Sequence, residues 1–534
     1  MPSSFQIRPI TYGLFLTSTI TYIYLTKRLR SAKDDAQSNS NSNNTDSVGS
    51  RGVSALTPVL PYLSAFFMCL ENPCDPETNP EGHIALCVAE NTLVQEMLAS
   101  RLMKPAIAAH AFGDSVSFCY NGMLGLPGAR EAVAYFLARR FLLAPDGGKS
   151  SVIAMAPTAE NVTADRINPE HVAIGAGAAS ILNNLFFILA EAGTGVLVPA
   201  PFYAAFVNDM RVVAGCVPIP VYSNDPVKGP TIEELQRATE DAERNLGLNV
   251  KVLLLTNPNN PLGTVYQPQA VLDMISWARG RGMHTIVDEI YALSMHKTGN
   301  DFVSVIRLLN NQLGDDVHFI WALSKDFGAS GFRIGVLYTQ NDLLLQALAN
   351  LNIFSCVSHP MQMIMADLLM DDSFVDSFLA EARLKLRRSY NLCTAKLDEM
   401  VVTYTPAEGG IFVYCDFSSI LPEQTFEMES KFRTIVEKYA RVVMTPGESQ
   451  YDRKPGRFRI CYAWVTEEVL EIAMERLSYL ISKLRKMDWW NEVQEEYLSD
   501  VISKGGRDRM IHSRRRQFVA HADSIDLSRD RQSL

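Results

Sequence analysis

The sequence predicts an α/β fold with a largely parallel sheet and helices on both of its faces. Three observations carry this. Short apolar runs that stop at Gly, Pro or Asn alternate with helix-length segments, the pattern of strands joined by crossover helices. Polar residues follow those runs, where open α/β sheets bind ligands. The 534 residues exceed the roughly 250–300 at which one core stops growing, so at least two lobes are expected.

Val172 to Ile174 is the first strand, and it leads through GAGAAS into ILNNLFFILAEAG, read as a helix closing at Gly193. Gly195 to Val198 is the second, closed by Pro199 and Pro201. Lys251 to Leu255 is the third, cut off by the breaker-rich NPNNPLG. Thr285 to Val287 is the fourth, ending in DEIY, and His318 to Ala322 the fifth, ending in LSK. Between the third and fourth, Pro268 to Arg281 has helix length. Ser180, Tyr203, Asn260, Asp288, Tyr291 and Lys325 each fall just after a predicted strand, and six polar groups on one sheet edge would make a site.

Composition narrows the class. Apolar residues at 47% and charged residues at 20% describe a globular chain, not a disordered one. A net charge of −10 argues against a broad nucleic-acid footprint. Nine scattered cysteines with no CxxC pair suit free thiols in a reducing, cytoplasmic compartment. The nine histidines show no HExxH spacing, so no metal site is expected, and His284 and His359 are read as structural.

The ends differ from the body. Residues 10–25 (ITYGLFLTSTITYIYL) are mostly apolar and are followed by KRLR. They are short for a bilayer span of about 20 residues, and the basic cluster on the wrong side argues against a secretory signal. A membrane anchor or targeting segment within 1–30 and a plain unordered extension are the open readings; an anchor would leave the following chain on the cytosolic side. Residues 31–57 read as a flexible Ser/Asn-rich linker and 501–534 as a polar tail.

The stretch WALSKDFGASGFRIG, with Lys325 eight residues before Arg333, together with TNPNNPLGT (256–264) and VDEIY (287–291), resembles the fold-type-I pyridoxal 5'-phosphate (PLP) enzymes. VAENTL around Glu90, PAPFYAAFVNDMR (199–211) and GRFRICYAW (456–464) resemble the 1-aminocyclopropane-1-carboxylate (ACC) synthase-like branch of the class I/II aminotransferases. The likeness runs over most of residues 80–485. It implies a large PLP-binding domain at 111–350 and a smaller α+β domain built from 58–110 and 351–500.

The resemblance also assigns roles. Lys325 would hold the cofactor as an aldimine and, once freed, move the Cα proton of an L-α-amino acid. Asp288 would pair with the pyridine nitrogen, Tyr291 and Asn260 would donate to the phenolate oxygen, and Tyr203 would stack on the ring. Ala179 and Ser180 at a helix start, with Arg333, would take the phosphate. The family often has a serine three residues before the lysine; here that residue is Ala322, and Ser324 is the expected substitute. Arg459 would clamp the substrate carboxylate. Tyr120 resembles the tyrosine that reaches the neighbouring subunit's phosphate, which implies a homodimer. ACC synthases read YHGLP there, whereas CYNGMLGLP has three extra residues and the spacing of aspartate aminotransferases. Glu90 would contact substrate in lyase-type chemistry, or else cap a helix or join a salt bridge. The expected function is an ACC synthase-like lyase or an aminotransferase in specialised biosynthesis. The alternative is a catalytically silent, membrane-tethered scaffold.

Overall fold

The computed structural model describes residues 62–143, 166–297 and 302–486, with residues 49, 60 and 490. The chain divides into Met1–Pro58 and a compact unit, Val59–Leu534. The apolar run at 10–25 and the tail from 501 lie outside the described residues, as does the 31–57 linker apart from residue 49. Among the described residues, no helix is long and apolar enough to cross a membrane.

In chain order the strands are β1 (Ile84–Ala85), β2 (Val172–Gly175), β3 (Gly195–Ala200), β4 (Val217–Tyr222), β5 (Val250–Thr256), β6 (His284–Asp288), β7 (Val317–Ala322), β8 (Gly335–Thr339), β9 (Thr403–Thr405), β10 (Phe412–Asp416), β11 (Val442–Val443), β12 (Thr445–Pro446) and β13 (Arg457–Cys461). Seven of them form one sheet in the order β2-β8-β7-β6-β5-β3-β4. Its neighbours pair in parallel except where β8 runs against β2 and β7.

Both faces of this sheet are covered, which is why its strands read as unbroken apolar runs. Successive side chains point to opposite faces, so Val252 and Leu254 of β5 share one core with Ile286 and Ile320, packed by Leu185 and Phe186 of helix Ala178–Leu189. Leu253 and Leu255 share the other with Val287, Phe319 and Trp321, packed by Met274 and Ile275 of helix Pro268–Gly280.

The five strands read from the sequence are all present. The first helix is shorter than expected: it ends at Leu189, Ala190 is already extended, and Gly193 at φ +85° turns the chain into β3. β4 and β8 were not anticipated. Proline at alternate positions of β4 (VPIPVY) argues against a strand, but β4 is the sheet's edge, where proline is tolerated.

A second, antiparallel sheet has the order β12-β13-β10-β9 and puts Phe412, Val413, Phe458 and Ile460 into the first core. β1 pairs in parallel with β11, Ile84 opposite Val442, so the N-terminal segment is held against the C-terminal part of the chain.

Candidate active site

The carboxyl ends of the parallel strands gather the predicted residues. Asp288 is the last residue of β6, and Tyr291 lies on the turn beyond it. Asn260 follows β5, Tyr203 follows β3, and Lys325 sits on the short helix Leu323–Asp326 that leaves β7. Because β8 is antiparallel, it begins at this same edge, with Gly335 opposite both Gly175 and Ala322. That reversal brings Arg333 beside the start of helix Ala178–Leu189.

The Lys325 Nζ donates to the Ala89 carbonyl at 2.6 Å. Asn91 Nδ2 in turn approaches the Lys325 carbonyl at 3.4 Å. The 89–91 segment crosses so closely that a Cβ on Gly328, at φ +63°, would collide with the Asn91 carbonyl. Burial pushes the Lys325 ammonium below its ordinary value, while the charges of Glu90 and Asp288 pull it back up. Burial likewise pushes the Asp288 carboxyl up to about 7, against the Ile290 N–H that it accepts at 3.2 Å and the Lys325 charge. A buried acid and a buried amine thus act on each other across the strand ends. Tyr203 is half-buried and meets Phe206 edge-on at 5.3 Å between centroids.

The second sheet contributes Arg459 from the middle of β13, opposite Tyr414 of β10 and Thr445 of β12. The guanidinium is 1% exposed. Its Nη1 donates to Asn260 Oδ1 at 2.9 Å, and its Nη2 donates to the Cys87 carbonyl at 2.9 Å and Thr445 Oγ1 at 3.3 Å. The Nε has no hydrogen-bond partner among the described residues. The Asn260 Nδ2 donates to the Tyr291 hydroxyl at 3.4 Å, and burial pushes that phenol well above its ordinary value. A buried cation with an unused donor, held by neutral acceptors alone, is equipped to receive an anion.

The start of helix Ala178–Leu189 is a second anion seat. Its N-cap is Gly177 at φ +86°, with no side-chain cap, so first-turn N–H groups face outward. A Cβ on Gly177 would meet Arg333 Nη2 at 2.6 Å, and one on Gly335 would meet Gly177 C at 2.5 Å and Ala178 N at 2.7 Å. The cradle is therefore shaped by missing side chains. Arg333 holds an αL conformation at φ +52° and is anchored by the Ser330 carbonyl at 3.0 Å and the Ala176 carbonyl at 3.3 Å. Ala179 is exposed and Ser180 half-buried on the first turn, while Ser324 is buried with its carbonyl accepting from Ser330 Oγ at 3.0 Å. Anion seat, Asp288 and Lys325 lie along one edge, the donor set that a phosphate-bearing pyridine aldehyde requires.

One predicted residue stands apart, and one sits on the segment that crosses Lys325. Tyr120 is 97% exposed and joins no buried cluster among the described residues. Glu90 is half-buried; its carbonyl accepts from Cys461 Sγ at 3.8 Å, and its charge acts on Lys325. Sequence pattern alone does not single out Asn91 and Asp326, immediate neighbours of Glu90 and Lys325. The only signal for the latter is an acidic residue directly after the lysine, in an otherwise apolar stretch. His284 Nδ1 lies 3.1 Å from His318 Nε2 at the amino ends of β6 and β7, away from this edge, and His359 Nδ1 lies 2.9 Å from the Val116 carbonyl.

Comparison with known proteins agrees with the geometry. The family model "Aminotransferase class I and II" matches residues 122–477. 1-Aminocyclopropane-1-carboxylate synthase 6 of Arabidopsis thaliana is 30% identical over 435 residues, 80% of this chain and 83% of that protein. 1-Aminocyclopropane-1-carboxylate synthase 2 of the same plant is 31% identical over 428 residues, 77% and 81% of the two chains. Among solved structures, the Thermus thermophilus aspartate aminotransferase with maleate aligns at a TM-score of 0.63 and 22% identity, covering 81% of this chain and 99% of that one. The Pyrococcus furiosus alanine aminotransferase aligns at 0.64 and 21%, covering 82% and 99%. The chain belongs to the class I and II aminotransferase family, in its ACC synthase-like branch, and is a PLP-dependent enzyme of the fold-type-I architecture.

Proposed function

We propose that this enzyme acts on an L-α-amino acid by lyase chemistry of the ACC synthase-like kind, in a specialised biosynthetic step. The observation that carries the reading is the segment holding Glu90: the Lys325 Nζ donates to the carbonyl of the adjacent Ala89 at 2.6 Å, and the Glu90 charge favours the ammonium form. Its place next to Ala89, on a segment separate from the anion seat, supports a role for Glu90 towards substrate.

Bound PLP supplies an electron sink for negative charge at the substrate Cα. Lys325, whose amine burial keeps less basic, takes the Cα proton. Asp288 holds a proton on the pyridine nitrogen, and Asn260 with Tyr291 donates to the phenolate oxygen. Arg459, a buried guanidinium whose Nε is unpartnered among the described residues, orients the substrate carboxylate. Gly177 to Ser180 and Arg333 seat the phosphate.

A single turnover with a panel of amino acids, without keto acid, tests the reaction. Recovery of PLP with a cleaved or cyclised product supports the lyase reading. Pyridoxamine phosphate with a matching keto acid overturns it in favour of transamination, the second reading, which the aspartate-aminotransferase spacing after Tyr120 favours.

The same reading makes the enzyme a homodimer. Tyr120, Phe118 and Phe112 are exposed apolar side chains near a cavity of about 280 Å³ lined by His110, Val116, Asn121, Leu126 and Met363. Light scattering at the monomer mass would remove this part. Residues 10–25 would hold the enzyme at a membrane face. Equal solubility of the full chain and one beginning at Val59 would remove the anchor.

A further inference from the structure

Asp326 follows Lys325 directly, is 2% exposed, and has no assigned role in the chemistry above. Its carboxylate accepts three hydrogen bonds. Trp321 Nε1 donates to Oδ2 at 2.8 Å, the Leu293 N–H donates to Oδ2 at 3.2 Å, and Ser294 Oγ donates to Oδ1 at 2.6 Å. The first comes from β7 itself. The other two come from the turn after β6 that carries Tyr291, a turn closed by the Ser294 N–H to the Tyr291 carbonyl at 3.0 Å. Beyond the strand ladder, which ends with the Glu289 N–H on the Ile320 carbonyl, these two are the hydrogen bonds joining the Tyr291 turn to the Lys325 turn among the described residues.

Stability alone does not explain this carboxyl. All three hydrogen-bonding partners are neutral, and burial pushes the group up to about 7 despite the three donors and the more distant charge of Arg383. A buried ionisable group can often be replaced by apolar packing at no loss of stability, so its use here points to geometry. Trp321, at the other end of the link, is fixed by Phe136, Phe141 and Phe327 at centroid distances of 5.0, 5.9 and 6.1 Å. The carboxylate thus ties both turns to an aromatic core beyond the point where the strand ladder ends.

We propose that Asp326 is a positioning residue: by bridging Trp321 to Leu293 and Ser294 it fixes the Lys325 amine relative to the Tyr291 hydroxyl. This rests on the reading of Lys325 as the cofactor-bearing lysine. Positioning matters because a misplacement of about 1 Å can cost on the order of a hundredfold in rate.

The test uses PLP-loaded wild type, Asp326→Asn and Ser294→Ala. For each, the pH midpoint of the bound cofactor's visible absorbance, kcat, KM and melting temperature are measured, and the cofactor is reduced onto the protein and mapped. Asp326→Asn keeps the shape but turns one acceptor into a donor. It is expected to shift the midpoint by about half a unit or more and to lower kcat by about tenfold to a hundredfold, with KM less affected. Ser294→Ala, which leaves the carboxyl in place, is expected to shift both in the same direction by less, and it keeps the test open if Asp326→Asn does not fold. A lower melting temperature with wild-type midpoint and kcat would make Asp326 merely structural and overturn the proposal. If mapping finds the wild-type cofactor away from Lys325, the underlying reading fails first; if it lies on Lys325 and the variants behave as wild type, only this proposal fails.

Discussion

Arg459 and Asn260 lie 199 residues apart and are joined by a buried hydrogen bond of 2.9 Å from Nη1 to Oδ1. The bond ties the second sheet to the loop after β5, and Asn260 passes the link on to Tyr291 at 3.4 Å. One polar chain therefore connects the residue proposed to bind substrate to two proposed to bind cofactor.

Replacing Arg459 by Lys keeps the charge but loses the planar fork that reaches Asn260, Cys87 and Thr445 together. A lost charged hydrogen bond is worth about 1.5–3 kcal/mol, so KM for the amino acid should rise roughly tenfold to a hundredfold while kcat falls less. Steady-state kinetics checks this, and an unchanged KM would move the carboxylate clamp elsewhere.

Asp288→Asn removes a carboxylate that burial already disfavours, so the fold should persist. The proton on the pyridine nitrogen should lose its partner, and kcat should drop by about 10²–10³ as for other lost electrostatic contacts in active sites. A melting curve alongside kcat separates the two effects; a kcat within threefold of wild type would remove Asp288 from its proposed role.

The strand ends were legible in the sequence because β5, β6 and β7 are buried on both faces and each stops at a residue that breaks the run. Asn260, Asp288 and Lys325 could be read off those stops. β8 was not legible, because its place and direction are set by antiparallel pairing with β2 and β7, which no local pattern records, and that reversed direction is what delivers Arg333 to the cradle. Nor could a single chain disclose that Ala89 and Asn91 cross Lys325 or that Asp326 reaches the Tyr291 turn. These contacts join residues 32 to 236 positions apart, or close through backbone atoms that carry no sequence signal.

Gly335→Ala places a Cβ against the backbone of Gly177 and Ala178, where no side chain can rotate away. Overpacking of this kind costs about 1–3 kcal/mol and should open the phosphate cradle. Weaker PLP binding in an absorbance titration, with a lower melting temperature, is the expected result. Wild-type affinity in a destabilised variant would place the phosphate elsewhere.

The His284–His318 pair makes the fold acid-sensitive. Burial, reinforced by the His284 charge, pulls His318 down to about 3 from its ordinary 6.5, and burial also lowers His284. The native state thus favours neutral rings, so the stability they contribute is complete above pH 6.5 and is lost as pH falls from 6.5 towards 3. The His318 share is at most about 1.4 kcal/mol per pH unit. His318→Asn should flatten the melting temperature against pH between 6.5 and 5, and an unaltered slope would assign the acid sensitivity to other groups.

The most direct measurement is to reduce the PLP-loaded wild type with borohydride, digest it and locate the cofactor by mass spectrometry, with Lys325→Ala in parallel. The label is expected on the peptide carrying Lys325, and the variant is expected to keep its fold but lose both the visible absorbance and all turnover. Label on a different lysine, or turnover retained by Lys325→Ala, would contradict Lys325 as the cofactor-bearing lysine.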